Sequence, residues 1–157
     1  MRHTISVLVE NKFGVLARIA GLFSARGYNI ASLAVSEALD PTISYMTIVV
    51  EAQDDKILEQ IKKQLNKLID VITVTDFTKK DHIDRELVLA KINYTPKDKD
   101  KLELIFNKYV GKIIHHKDDL AIIEAVGDPA QIKSLLEELD KFGIKELART
   151  GKLAISN

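Results

Sequence analysis

Apolar and polar positions alternate with period two in some stretches of the chain and recur at helical spacing in others, and the two kinds of stretch interleave. Ile5, Val7 and Val9 alternate along residues 4–10 and predict a strand. Val15, Leu16, Ile19, Ala20 and Phe23 follow at helical spacing and predict a helix over 15–26. Strands are predicted near 30–36 and 44–51, separated by Asp40-Pro41. A helix over 54–68 is capped by Asp54 or Asp55 and carries Ile57, Leu58, Ile61, Leu65 and Leu68 on one face, before a strand over 71–77. Beyond a polar stretch at 78–84 the order returns: strand 87–93, helix 97–109 ended by Gly111, strands 112–116 and 120–126, helix 129–142, strand 144–149. Asp128-Pro129 supplies a cap followed by proline at the first helical position.

Each copy reads βαββαβ, a split βαβ unit with two helices on one face of a four-stranded antiparallel sheet. The expected fold is therefore α+β, two tandem ferredoxin-like domains over 1–77 and 85–157, joined by a linker at 78–84. The first domain's strands carry apolar residues on both faces, Ile5, Val7 and Val9 against Leu8, and Met46, Ile48 and Val50 against Tyr45 and Val49. The uncovered face calls for a partner. The run Ile30-Ala-Ser-Leu-Ala-Val35 is apolar and uncharged, a sheet edge suited to pairing with a second copy, so a homodimer through the first domain is expected.

Composition narrows the chemistry. Lys plus Arg equals Asp plus Glu at 23 each, which gives no electrostatic reason for a nucleic acid or an anionic membrane as partner. The absence of cysteine among 157 residues excludes disulfides, thiolate zinc sites, iron–sulfur clusters and cysteine nucleophiles. The opening Met1-Arg-His-Thr runs into an alternating strand rather than a signal sequence or a membrane helix, and a soluble cytoplasmic protein is expected.

No catalytic or metal site is expected. His115 and His116 are adjacent on a strand and point to opposite faces; His3 and His82 lie at a strand start and in the linker, where solvation is the default. Nucleophile elbow, phosphate loop and HExxH are all missing. Ferredoxin-like enzymes that cleave acyl phosphates need an arginine in the loop after the first strand, and this loop holds Lys12. That loop, Asn11-Lys-Phe-Gly14, instead suits a small zwitterion. The first amides of the following helix lack intrahelical partners and carry the positive end of its dipole, so they can receive a carboxylate. Asn11 and Asn29 can accept from an ammonium, and Val15, Leu16, Ile30, Leu33 and Val35 can supply aliphatic walls. Asn11, Gly14 and Asn29 are equally ordinary turn residues, and Val15 and Leu16 equally ordinary core.

The stretch from Ile5 through Gly14-Val-Leu-Ala-Arg18 and Gly27-Tyr-Asn-Ile-Ala-Ser-Leu33 resembles the ACT domain of the regulatory (small) subunit of acetolactate synthase, also called acetohydroxyacid synthase. Asp40-Pro-Thr-Ile-Ser-Tyr-Met-Thr-Ile48, the segment 59–71 and the closing Glu146-Leu-Ala-Arg-Thr-Gly-Lys-Leu-Ala154 are similar to that family too, so the resemblance spans nearly the whole chain. It implies a non-catalytic subunit that activates the catalytic (large) subunit and confers feedback inhibition by valine. It also implies that the chain holds no cofactor, with thiamine diphosphate, magnesium and FAD on the large subunit. The effector in such proteins sits between two ACT domains, which carries over to Asn11, Gly14, Val15 and Leu16 of one chain with Asn29 and Ile30 of the other. Ala34 and Ser36 follow on the same strand; Ser36 stands where a small apolar residue is common. Tyr109-Val110-Gly111 and His115-His116 also depart from the usual pattern, in the second domain. The alternative is a free-standing ACT-type sensor of amino acids acting on another enzyme.

Overall fold

The computed structural model describes residues 1–157 and divides into two units, Met1–Ile83 with Lys152–Asn157, and Asp84–Gly151. The first unit contains β1 (Arg2–Glu10), α1 (Val15–Ala25), β2 (Asn29–Glu37), β3 (Ile43–Glu51), α2 (Asp55–Leu65) and β4 (Val71–Asp76). Its sheet runs β2-β3-β1-β4, fully antiparallel, so β2 is an edge strand with one neighbour. Ile5, Val7 and Val9 pair with Ile48, Met46 and Ser44 in register, and this face meets Val15, Ile19, Leu22 and Phe23 of α1 and Leu58, Ile61 and Leu65 of α2. α2 starts as the sequence predicts, with the Asp54 carboxylate accepting from the Ile57 N–H at 2.9 Å.

The second unit repeats the order with β5 (His82–Asn93) entering it, a 3₁₀ turn (Pro96–Asp98), α3 (Lys99–Phe106), β6 (Gly111–Lys117), β7 (Leu120–Gly127), α4 (Pro129–Asp140) and β8 (Ile144–Arg149). Its strands run β6-β7-β5-β8. Val88, Ala90, Ile92, Ala121 and Ile123 face Leu102, Ile105, Ile132, Leu135 and Leu139 of the helices. Asp128 and Gln131 form a reciprocal capping box at α4, and Pro129 fills its first position. The buried Glu86 carboxylate is held by two bonds from Arg149, at 2.6 and 2.9 Å, the fork geometry that best compensates a desolvated charge. Both units are thus α+β with the βαββαβ order.

Several local expectations need correction. Gly111 does not end a helix: α3 stops at Phe106, and Gly111 opens β6 because a Cβ there would lie 3.1 Å from the Phe106 ring and 3.3 Å from the Ala125 Cβ. Part of the expected linker at 78–84 is strand, since β5 begins at His82. His82 stacks on Phe77 with ring centroids 5.1 Å apart. His3 is buried rather than solvated, because β1 begins at Arg2 and places His3 inside the sheet opposite Val50. Its Nδ1 lies 3.2 Å from the Thr78 hydroxyl, and its Nε2 has no partner.

The last six residues of the expected second domain, 152–157, pack with the first unit. There a strand missed by the periodicity, β9 (Leu153–Ser156), lies against the sheet face that the helices leave open. The Lys152 N–H donates to the Ser32 hydroxyl at 3.1 Å, the Ala154 N–H to the Thr47 hydroxyl at 3.3 Å, and the Tyr45 hydroxyl to the Ala154 carbonyl at 2.6 Å. Ala154 and Thr47 are fully buried. The cover that the open face required is therefore supplied in part by the chain itself.

Two outcomes follow from this packing. Tyr45→Phe should destabilise the first unit by about 1–2 kcal/mol, since it strands a carbonyl on a largely dry face; urea unfolding followed at that unit with an unchanged midpoint would refute the docking. The Asp76 carboxyl is pushed up by burial, but the Thr78 amide and hydroxyl and the Lys62 ammonium together hold it below its ordinary 3.8. A carboxyl lowered in the folded state stabilises above its unfolded pKa and loses that contribution as pH falls through the folded value. Stability of the first unit should therefore drop below about pH 4, with Glu51, Asp55 and Asp40 contributing in the same direction, and Asp76→Asn should flatten the drop.

Candidate functional site

The turn between β1 and α1 is built around Gly14, which sits in the left-handed region at φ 81° and occupies the N-cap without a side-chain capping bond. Its Asn11 N–H donates to the Thr42 carbonyl at 2.7 Å, and the Asn11 side-chain amide donates to the Pro41 carbonyl at 2.8 Å. Both bonds pin the tip of the β2–β3 hairpin onto the turn. Asp40 organises that tip by accepting from the Thr42 amide and hydroxyl, which hold its carboxyl below the ordinary value. The N–H groups of Phe13, Gly14, Leu16 and Ala17 find no acceptor in the chain, and the first turn of α1 carries no acidic residue. The positive end of an eleven-residue helix is therefore left open. Lys12 adds little to it, because Glu10 pairs with it at 2.7 Å and raises its pKa.

Arg18 braces the turn from below. Its Nε and Nη2 both donate to Asp70 Oδ2, at 3.0 and 2.7 Å, while the Asp70 carbonyl accepts from the Glu10 N–H. A Cβ on Gly14 would stand 3.0 Å from Arg18 Nη1.

Asn29 and Ile30 do not join this turn within one chain. In register, Asn29 lies opposite Glu51 and Glu51 opposite Arg2, whereas the turn follows Glu10 at the other end of β1. Eight residues of strand separate the two ends, about 27 Å at about 3.4 Å per residue. Asn29 donates its side-chain amide to Glu51 at 3.0 Å, and this bond, with the Arg2 guanidinium, keeps the Glu51 carboxyl low. In both asparagines the amide nitrogen is engaged and the carboxamide oxygen has no partner in the chain.

The remaining expected residues separate by face. Val15 is 3% exposed and packs in the core, so its side chain is unavailable to a ligand; Leu16 is 45% exposed and available. A bulge between Ile30 and Ser32 shifts the register of β2. As a result Ile30, Leu33 and Val35 pair with Val50, Ile48 and Met46 on the helix face, while Ser32, Ala34 and Ser36 pair with Val49, Thr47 and Tyr45 on the face that β9 covers. Ala34 and Ser36 thus lie away from the helix side where Leu33 and Val35 stand partly exposed. Phe13, fully exposed in the turn, was missed; an aromatic in a loop has no periodicity to reveal it.

In the second unit the adjacent histidines have different surroundings. His116 Nε2 lies 3.0 Å from the Asp118 carbonyl and its ring meets Tyr94 edge-on at 5.0 Å, and His115 stands opposite Ile122.

The turn geometry predicts that Gly14→Ala costs about 1–2 kcal/mol for the left-handed backbone alone, and more if Arg18 is displaced from Asp70. Thermal unfolding with no loss of stability would show that the turn relaxes freely.

Comparison with known proteins agrees with this two-part architecture. A family sequence model described as the AHAS small subunit-like ACT domain matches residues 5–73, and one described as the small subunit of acetolactate synthase matches residues 85–157. The acetolactate synthase small subunit of Aquifex aeolicus is 46% identical over 156 residues, 98% of this chain and 80% of that protein. That of Mycolicibacterium smegmatis is 42% identical over 154 residues, covering 98% of this chain and 90% of the relative. The crystal structure of the acetolactate synthase small subunit from Thermotoga maritima superposes with a TM-score of 0.89 at 36% identity, over 100% of this chain and 98% of that one. The chain belongs to the acetolactate synthase small subunit family, with an ACT domain in its first half.

Proposed function

We propose that the chain is a non-catalytic regulatory subunit that activates the thiamine-diphosphate-dependent catalytic subunit of acetolactate synthase and makes it sensitive to valine. The observation that carries the effector site is the set of unpaired amides at Phe13, Gly14, Leu16 and Ala17 beside a helix start free of acidic side chains. A carboxylate there satisfies the amides without a cationic side chain.

The ammonium half of the ligand comes from a second copy. β2 has a free edge, and an antiparallel two-fold across it sets the Asn29 end of one strand beside the Glu37 end of its mate, next to that mate's own turn. Such a homodimer supports a shared pocket: amides and the Asn11 oxygen from one chain, the Asn29 oxygen and Ile30 from the other. Leu16, Leu33 and Val35 serve as apolar walls. Ala34 and Ser36 act on this pocket only through the backbone of β2. Because the ligand spans two chains, valine stabilises the dimer by mass action. It inhibits by preferring one arrangement of the holoenzyme; a tenfold preference is worth about 1.4 kcal/mol, and equal affinity for both arrangements shifts nothing. In this reading thiamine diphosphate, magnesium and FAD reside on the catalytic subunit, and the assembly works in the cytoplasm. No helix of the chain is long and apolar enough to cross a membrane.

The test is acetolactate formation by the cognate large subunit alone, with this chain, and with this chain plus valine. Activation followed by valine inhibition is the expected result. Gly14→Asp, which sets a carboxylate against the ligand's own, should keep activation and abolish inhibition. Normal inhibition of that variant would sink the site, and absence of activation by the wild type would favour a free-standing amino-acid sensor.

A further inference from the structure

The second unit contains a groove of about 760 Å³ that the regulatory reading leaves unused. It lies among α3, the C-terminal end of α4 and the β6–β7 turn, and its volume falls within the range of small-molecule sites. Ile105, Phe142 and the buried Tyr94 give it an apolar floor, and Leu104 stands on its rim 64% exposed. An exposed leucine over a concave apolar floor gains most from a ligand that covers it.

The groove is held in shape by bonds that do not need a ligand. The Tyr94 N–H donates to the Asp119 carbonyl at 2.9 Å, which fixes the β6–β7 turn to the end of β5. The Asn93 N–H donates to the Gly143 carbonyl at 3.2 Å, and Gly143, at φ 86°, lets the α4–β8 turn approach so closely that a Cβ would lie 2.6 Å from the Asn93 amide nitrogen.

Its charges divide into spent and unspent ones. Asp98 accepts from both the amide and the hydroxyl of Thr95, and Glu138 accepts from Lys108 and the Tyr109 hydroxyl. Lys101 has its nearest carboxylate oxygen at 3.9 Å, and the side chains of Lys141 and Asp119 form no ion pair. One unpaired cation, Lys141, one loosely held cation, Lys101, and one unpaired carboxylate, Asp119, therefore line a groove with an apolar floor. We propose that this groove binds a zwitterionic α-amino acid with a large apolar side chain, its carboxylate toward Lys101 and Lys141, its ammonium toward Asp119 and its side chain over Leu104 and Phe142. The site is separate from the ACT turn and does not rest on the regulatory reading.

L-Phenylalanine is the probe, added to the full chain carrying methyl-labelled leucine and isoleucine and followed by NMR. The Leu104 and Ile105 methyl signals should shift saturably at millimolar ligand, and equally in the Gly14→Asp protein, so the outcome is independent of the first-unit site. Lys141→Met and Asp119→Asn should each weaken binding roughly tenfold, the cost of one lost charged contact. Phenylpyruvate, which lacks the ammonium, and phenethylamine, which lacks the carboxylate, should bind far more weakly. The proposal is overturned if the two methyls do not respond, if both substitutions leave the affinity unchanged, or if either analogue binds as well as the amino acid.

Discussion

Backbone groups without partners organise the first unit. Strand pairing and helix formation satisfy most of its amides and carbonyls, and the exceptions include two that bear on the site: the start of α1 and the outer edge of β2. Each exception is made by ordinary local chemistry. Gly14 reverses the chain without a side chain that could cap the helix it begins, and the short path from β1 into α1 leaves no residue to reach back. β2 is an edge because the split βαβ order puts β1 and β3 in the middle.

The second unit follows the same plan with different emphasis. Its corresponding turn carries an acidic residue where the first unit has none: the Asp98 carboxylate accepts from the Thr95 amide and hydroxyl. Its buried charge, Glu86, is answered by the Arg149 fork. The two halves share topology and differ in the turn that precedes the first helix.

Much of this was legible in the sequence because it depends on period. Ile5, Val7 and Val9, Leu58, Ile61 and Leu65, and Asp128-Pro129 declared their elements through alternation, helical spacing and capping chemistry. What stayed hidden depends on events without a period. The bulge after Ile30 inverts the rest of β2 and moves Ala34 and Ser36 to the far face, which strict alternation cannot anticipate. The resemblance places Val15 at the site and its spacing places it in the core; helical phase turns its side chain inward. Gly111 looked like a helix stop and is instead a close approach. β9 is only four residues long, and its packing rests on hydroxyls of Ser32, Thr47 and Tyr45 more than a hundred residues upstream.

The return of residues 152–157 to the first unit has a consequence for biosynthesis. A ribosome makes the open face of the first sheet early, but the strand that covers part of it comes only after the whole second unit has been polymerised. The nascent ACT half therefore spends that interval with Thr47 and Tyr45 uncovered. The second unit is topologically an insertion, anchored at both ends. Domain-by-domain folding from the N-terminus cannot cover the open face of the first sheet until the second unit has been made, so a stalled or truncated message yields an ACT domain without β9 on that face.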